Sequence, residues 1–304
     1  MKDKYTGSNR THRTRCSLAL CLSAIPIIML FGGGDKLDIT SYYSPRNRER
    51  PKRKSTEFII LHTTEGPKTG SLKKVYENGE THYFIDEAGK IYRIINELRV
   101  AYHAGRSMWN GKTDLDYYSI GIELVGYHNK SITSAQKTAL KGLIEKLQKA
   151  YRVPDDRVIP HSMVAYGTPN RWHKKSHRGR KRCGMLFANR SLRLQIGLEK
   201  QPLYDPDVRA GRLTVGDKYL EKALYGTAKE QEQATAYYSN ADANVIAPGR
   251  SAWDIARNLY NHPETTYIFP DGKKMQGNEI KNWTKIQAGT KVILPLAQDE
   301  NERE

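Results

Sequence analysis

Apolar and polar positions alternate along this chain in a way that predicts a layered α/β fold. Phe58 to Leu61 is an unbroken apolar run closed by His62, the pattern of a strand covered on both faces. In HYFIDEAGKIYRII, two strand-like runs flank Glu87-Ala88-Gly89, where Gly89 can take the positive φ that a tight hairpin demands. SIGIELVG, Ser119 to Gly126, alternates so that Ile120, Ile122 and Leu124 share one face while Gly121, Glu123 and Val125 share the other. A carboxylate therefore projects from the middle of a strand. The stretch TSAQKTALKGLIEKLQKAY opens with a capping box, Thr133 to Gln136, and carries Leu140, Leu143, Ile144, Leu147 and Tyr151 at helical spacing. RVIPH then repeats the earlier theme, a short apolar run ending in His161. Strands interleaved with helix imply a mixed central sheet flanked by helices.

The same pattern divides the chain. Residues 35–54, rich in charge and proline without apolar period, read as a basic linker, so the first domain spans 55–198. Residues 199–243 read as a second, partly ordered linker. Residues 244–296, with Pro/Gly-marked turns bracketing a helix and ending in KVILP, read as a small βααβ module, followed by a polar tail over 297–304.

Residues 1–34 run from a basic stretch through the apolar segment Cys16 to Phe31 to three glycines, the layout of an export signal. The apolar run is shorter than the roughly 20 residues a spanning helix needs, and Pro26 interrupts it, so a cleaved signal is preferred over a retained anchor. Location in the periplasm or cell envelope follows, with membrane contact only through that segment if it is uncleaved. The net charge of +17 implies an anionic partner, such as a cell-envelope polymer. No recognition helix or stacking motif supports nucleic acid as that partner.

Of three cysteines, only Cys183 lies beyond the N-terminal segment, so an exported form has no internal disulfide. A lone thiol in an oxidising compartment is a liability unless it ligates a metal. His62, His161 and Cys183 offer two imidazoles and a sulfur, the donor types of a catalytic zinc site with one open position. His173 and His177, spaced i, i+4 in the basic stretch before Cys183, are alternative ligands. A metal-dependent hydrolase is the leading function class.

FIILHTTEG, HYFIDEAGKIYRI, AYHAG, SIGIELVG, VIPHSMVA and KRCG, in that order, resemble the zinc-dependent N-acetylmuramoyl-L-alanine amidases of the type shared with peptidoglycan recognition proteins. The resemblance implies Zn2+ held by His62, His161 and Cys183, catalytic roles for Glu123 and Lys181, and a substrate-contacting His103. The implied substrate is the amide between N-acetylmuramic acid and L-alanine in peptidoglycan or muropeptides. A non-catalytic peptidoglycan receptor on the same fold is the alternative. PGRSAWDIA and IQAGTKVILP resemble the opening and close of a LysM peptidoglycan-binding module.

Overall fold

A computed structural model describes residues 37–170, 173–239, 244–246, 251–256 and 259–295. The N-terminal segment expected to be a signal or anchor, and the polar tail, lie outside the described residues, among which no helix is long and apolar enough to cross a membrane. In chain order the first domain contains β1 (Ile39–Ser41), β2 (Phe58–Thr63), α1 (Lys68–Asn78), β3 (Tyr83–Ile85), β4 (Ile91–Arg93), β5 (Met108–Trp109), β6 (Lys112–Thr113) and β7 (Ser119–Leu124). There follow α2 (Ser134–Tyr151), β8 (Val158–Pro160), α3 (His161–Val164), β9 (Tyr166–Gly167), β10 (His177–Arg178) and α4 (Arg190–Gln195).

Six strands form a mixed sheet in the order β1-β4-β3-β7-β2-β8. β2 sits inside it, parallel to β7 on one side and β8 on the other, while β3 and β4 form the expected antiparallel hairpin, with Gly89 at φ 80°. β2 is buried along its whole length because each face meets a separate apolar cluster. Ile59 and Leu61 join Ile120, Ile122 and Leu124 against Leu140, Leu143, Ile144 and Leu147 of α2. The capping box starts α2 as the sequence predicts: Thr133 Oγ1 accepts from Gln136 N, and Gln136 Oε1 accepts from Thr133 N. Each fully buried Leu or Ile contributes about 1.5–3 kcal/mol, so the two-sided burial of β2 anchors the sheet.

The opposite face overturns the expected linker over 199–243. That stretch carries α5 (Pro206–Arg209), β11 (Thr214–Val215), α6 (Lys218–Tyr225) and α7 (Ala228–Ser239). Leu220, Ala223, Leu224 and Ala234 pack against Phe58, Ile60, Ile159 and Met185. The stretch has few apolar residues, but α6 places its own on one face, and buried ion pairs fasten what precedes it. Arg178 on β10 pairs with Asp205 and Asp207, and Arg182 with Asp217. Local composition could not reveal this, because the partners are distant in sequence.

From Leu37 onward, the expected linker over 35–54 is likewise part of the domain. β1 adds to the sheet edge in parallel with β4, and Leu37 and Ile39 pack on the α2-side cluster. Half-buried Arg50 and Arg53 donate to the Gly79 and Glu97 carbonyls while backbone groups complete the edge, so polarity there signals hydrogen bonding to the domain, not absence of structure.

Within 244–296 the described residues depart from the βααβ expectation. They form α8 (Ala252–Ala256), β12 (Thr266–Ile268), β13 (Lys274–Gln276) and β14 (Lys291–Ile293), the strands forming an antiparallel sheet in the order β13-β12-β14. Thr266, Tyr267 and Ile268 favour extended backbone, and Gly272 at φ 85° closes a hairpin, so the long middle becomes a β-ribbon. Beyond it, 3-10 turns at Gly277–Glu279 and Trp283–Lys285 stand in place of a second α-helix. Tyr267, fully buried, centres a core with Ile246, Ala252, Ala256, Ile280, Ile286 and Val292.

Candidate metal centre

The parallel pairing of β2 with β7 sets His62 directly beside Glu123. Both follow the residue alternation away from the α2-side cluster, which brings Glu123 Oε1 to 3.6 Å from His62 Nδ1. On the other side of β2, strand β8 ends at Pro160 and His161 opens α3. Cys183 arrives from a turn that only glycine permits: Gly184 has φ 73°, and a Cβ there would lie 2.3 Å from the Leu61 carbonyl oxygen. Gly184 N donates to Thr63 Oγ1 at 2.8 Å, Ser162 N donates to the Cys183 carbonyl at 3.0 Å, and Cys183 Sγ lies 3.3 Å from the Thr63 carbonyl.

One donor atom each from His62, His161 and Cys183 lies within 4.8 Å of the others. The His62 Nδ1 to Cys183 Sγ distance is 3.6 Å. A tetrahedral zinc with ordinary bond lengths separates a nitrogen and a sulfur ligand by about 3.6 Å. The donor set fits that ion, which would have to displace the thiol proton of Cys183. The other nitrogens are engaged: His62 Nε2 lies 3.0 Å from His103 Nδ1, and His161 Nε2 lies 3.0 Å from the Ala104 carbonyl. Each of the two histidines thus turns Nδ1 towards the cluster.

Electrostatics point the same way. Burial, reinforced by His161, His103 and Lys181, holds His62 well below the usual imidazole range, and burial with Lys181 lowers His161 to about 4. Both are neutral at pH 7, the state that ligates. Burial, with Glu123 and Glu65 adding negative charge, pushes the Cys183 thiol well above its usual range. Burial raises Glu123 to about 8, Glu65 adding to the effect, and Glu123 Oε2 is buried without a hydrogen bond. A buried carboxyl with an orphaned oxygen beside three converging donors is poorly placed for stability alone, and a cation beside it would reverse the penalty.

Of the residues singled out in the sequence, His62, His161, Cys183 and Glu123 come together, and the charge of Lys181 acts on all four. His173 and His177 do not join them: their rings stack on each other with centroids 3.8 Å apart. The expected substrate contact of His103 is corrected. Its side chain is buried beneath His62, in space left by the missing side chain of Gly121, whose Cβ would lie 2.4 Å from the His103 ring.

Sequence reading missed Glu65 and Asp116. Glu65 holds a left-handed φ of 55°, and its carboxylate accepts from Thr63 Oγ1 at 2.5 Å, from His128 N at 2.9 Å and from His128 Nδ1 at 2.6 Å. It ties the loops after β2 and β7 to the Cys183 turn, through Thr63. The only sequence signal was the polar TTEG that follows so apolar a strand. Asp116 carried no signal.

Residues 52–183 match the family model for N-acetylmuramoyl-L-alanine amidase. The chain is 33% identical over 85 residues to the 1,6-anhydro-N-acetylmuramyl-L-alanine amidase AmpD of Haemophilus influenzae, covering 28% of this chain and 46% of that protein. To AmpD of Enterobacter cloacae it is 25% identical over 158 residues, covering 45% of this chain and 84% of the relative. A solved structure of the E. coli N-acetylmuramyl-L-alanine amidase AmiD, in complex with anhydro-N-acetylmuramic acid-L-Ala-D-gamma-Glu-L-Lys, superposes with a TM-score of 0.34 at 25% identity, over 36% of this chain and 49% of that one. The chain thus spans about half the length of the H. influenzae relative, and the family match takes in His62, Glu123, His161 and Cys183.

Proposed function

We propose that this chain is a zinc-dependent N-acetylmuramoyl-L-alanine amidase, cleaving the amide between the lactyl group of N-acetylmuramic acid and L-alanine in peptidoglycan or muropeptides. The observation that carries this reading is the convergence of His62, His161 and Cys183 within 4.8 Å, with the Glu123 carboxyl 3.6 Å from the first of them. The match of residues 52–183 to the amidase family supports the bond type.

His62 Nδ1, His161 Nδ1 and Cys183 Sγ would hold the ion, which when bound supplies Lewis acidity to the scissile carbonyl and to water. Glu123 takes the proton of the attacking water at Oε1 and returns it to the departing L-alanine amine. With the ion in place the neighbouring carboxyl would be ionised and ready to accept a proton, and its burial keeps competing water away from it. Lys181 contributes positive charge where the carbonyl oxygen becomes anionic. A receptor on the same fold could dispense with a ligand or with Glu123; the full set favours hydrolysis.

Residues 244–296 we assign to wall binding on the LysM-like sequence of their opening and close, with a β-ribbon in place of that module's middle, and residues 1–34 to export into the cell envelope. The basic surface suits anionic envelope polymers. The test is mass spectrometry of purified muropeptides incubated with the protein. Stem peptides should appear with zinc and vanish after chelation; their release by metal-free protein would overturn the reading.

A further inference from the structure

Both ligand imidazoles lean on the same short turn. His103 supplies Nδ1 to His62 Nε2 at 3.0 Å, and the next residue, Ala104, supplies its carbonyl to His161 Nε2 at 3.0 Å. A single carboxylate oxygen holds that turn: Asp116 Oδ1 accepts from His103 N at 2.9 Å and from Ala104 N at 2.7 Å. Asp116 is 7% exposed and His103 8%, so water competes little for these bonds.

The proton positions follow from donor chemistry. A carbonyl can only accept, so His161 carries its proton on Nε2 and keeps Nδ1 open. Ser119 Oγ lies 2.6 Å from the Leu115 carbonyl, and two oxygens that close need a proton between them, so the hydroxyl donates there. Ser119 Oγ, 3.2 Å from His103 Nε2, must then accept from that nitrogen. A neutral His103 protonated on Nε2 has a lone pair on Nδ1, which accepts from His62 Nε2. His62 is left with an open Nδ1.

We propose that the His103–Ala104 turn, anchored by Asp116 and oriented by Ser119, is a tautomer lock that presets both imidazoles for the metal before it binds. This rests on the zinc-centre reading above and adds a cause for its donor geometry. In water a free imidazole exchanges tautomers; here the Nε2 proton of each ligand has a fixed, buried acceptor, so no rearrangement is needed when the ion arrives. Gly121 belongs to the same device, since any side chain there would displace the His103 ring. His103, Asp116 and Ser119 are positioning residues.

The test is zinc affinity, measured on the full chain by competition with a chromophoric chelator, with the absorption spectrum of the cobalt(II)-loaded protein as a second readout. His103→Leu keeps bulk but removes the acceptor and should weaken zinc about 10- to 100-fold, the usual cost of losing a partner behind a metal-ligating histidine. His103→Asn places an oxygen near the lost Nδ1 and should restore most of that loss, with a cobalt spectrum like the wild type. Asp116→Ala should weaken zinc comparably, and Asp116→Asn, which keeps Oδ1, should weaken it less. Unchanged affinity in His103→Leu, or equal losses in His103→Leu and His103→Asn, would overturn the lock while leaving the zinc centre intact. Failure of the wild type to bind zinc at all would overturn both.

Discussion

Zinc binding to the metal-free protein should expel close to two protons from the chain at pH 7, and the count isolates Glu123. The two imidazoles release none, because His161 is lowered to about 4 and His62 lies well below the usual range. Cys183, raised well above its usual range, holds a full proton that the sulfur must lose to ligate. Glu123, at about 8, is protonated in about nine molecules of ten at pH 7. An ion held by His62 Nδ1 sits near Glu123 Oε1, which is 3.6 Å from that nitrogen. At about 4 Å and an effective dielectric near 20, each unit of charge is worth about 4 kcal/mol, against about 1.4 kcal/mol for one unit of pKa, so the carboxyl ionises. Two released protons mean an affinity that climbs roughly 100-fold per pH unit below pH 7. Calorimetry in buffers of different protonation enthalpy gives the number directly. Glu123→Gln should release about 0.9 fewer protons, with release from solvent at the ion common to both proteins. Equal counts in the two proteins would mean that zinc does not deprotonate Glu123, and the reasoning from its burial and its closeness to the ion fails.

Three further outcomes follow from the same geometry. Glu123→Gln should still take up zinc, at least about tenfold more weakly because the ionised carboxylate is gone, and at saturating zinc should lose turnover by about 10²- to 10⁴-fold, measured as stem-peptide release; full activity would remove the assigned base. Arg178→Met should cost about 3–5 kcal/mol in denaturant unfolding, since it removes the buried cation that pairs with Asp205 and leaves Asp207 with Arg212 alone, and Leu220→Ala about 2–5 kcal/mol; neutral values would return residues 199–239 to the status of a linker. The metal-free protein should lose stability as pH falls from about 6.5 towards 4.5. Buried His62, His82, His103 and His161 bind protons less tightly folded than unfolded, so they favour unfolding in that window, whereas Glu123 and Asp116, raised to about 8 and about 6, oppose it in smaller number. Urea titrations at pH 7 and pH 5.5 would show no difference if the histidines were solvated.

Periodicity alone determined the strands β2 and β7, the β3–β4 hairpin and helix α2, because in each the apolar spacing reports the face that packs and the turn residues report where the chain must reverse. The donor types at His62, His161 and Cys183, and the carboxylate on an alternating strand, were legible for the same reason: unusual residues at the ends or on the open faces of otherwise apolar elements. Tertiary structure decided what those residues touch. Parallel pairing of β2 with β7 put Glu123 beside His62, and the left-handed Gly184 brought Cys183 back to β2 across a long sequence separation. It also turned His103 from an expected substrate contact into a buried partner of His62, and set Asp116 against the His103 and Ala104 amides, a contact no local pattern announced. The 37–54 and 199–239 stretches join the domain through an edge strand and buried ion pairs. Their stabilising partners lie far away in sequence, so a local window sees only charge.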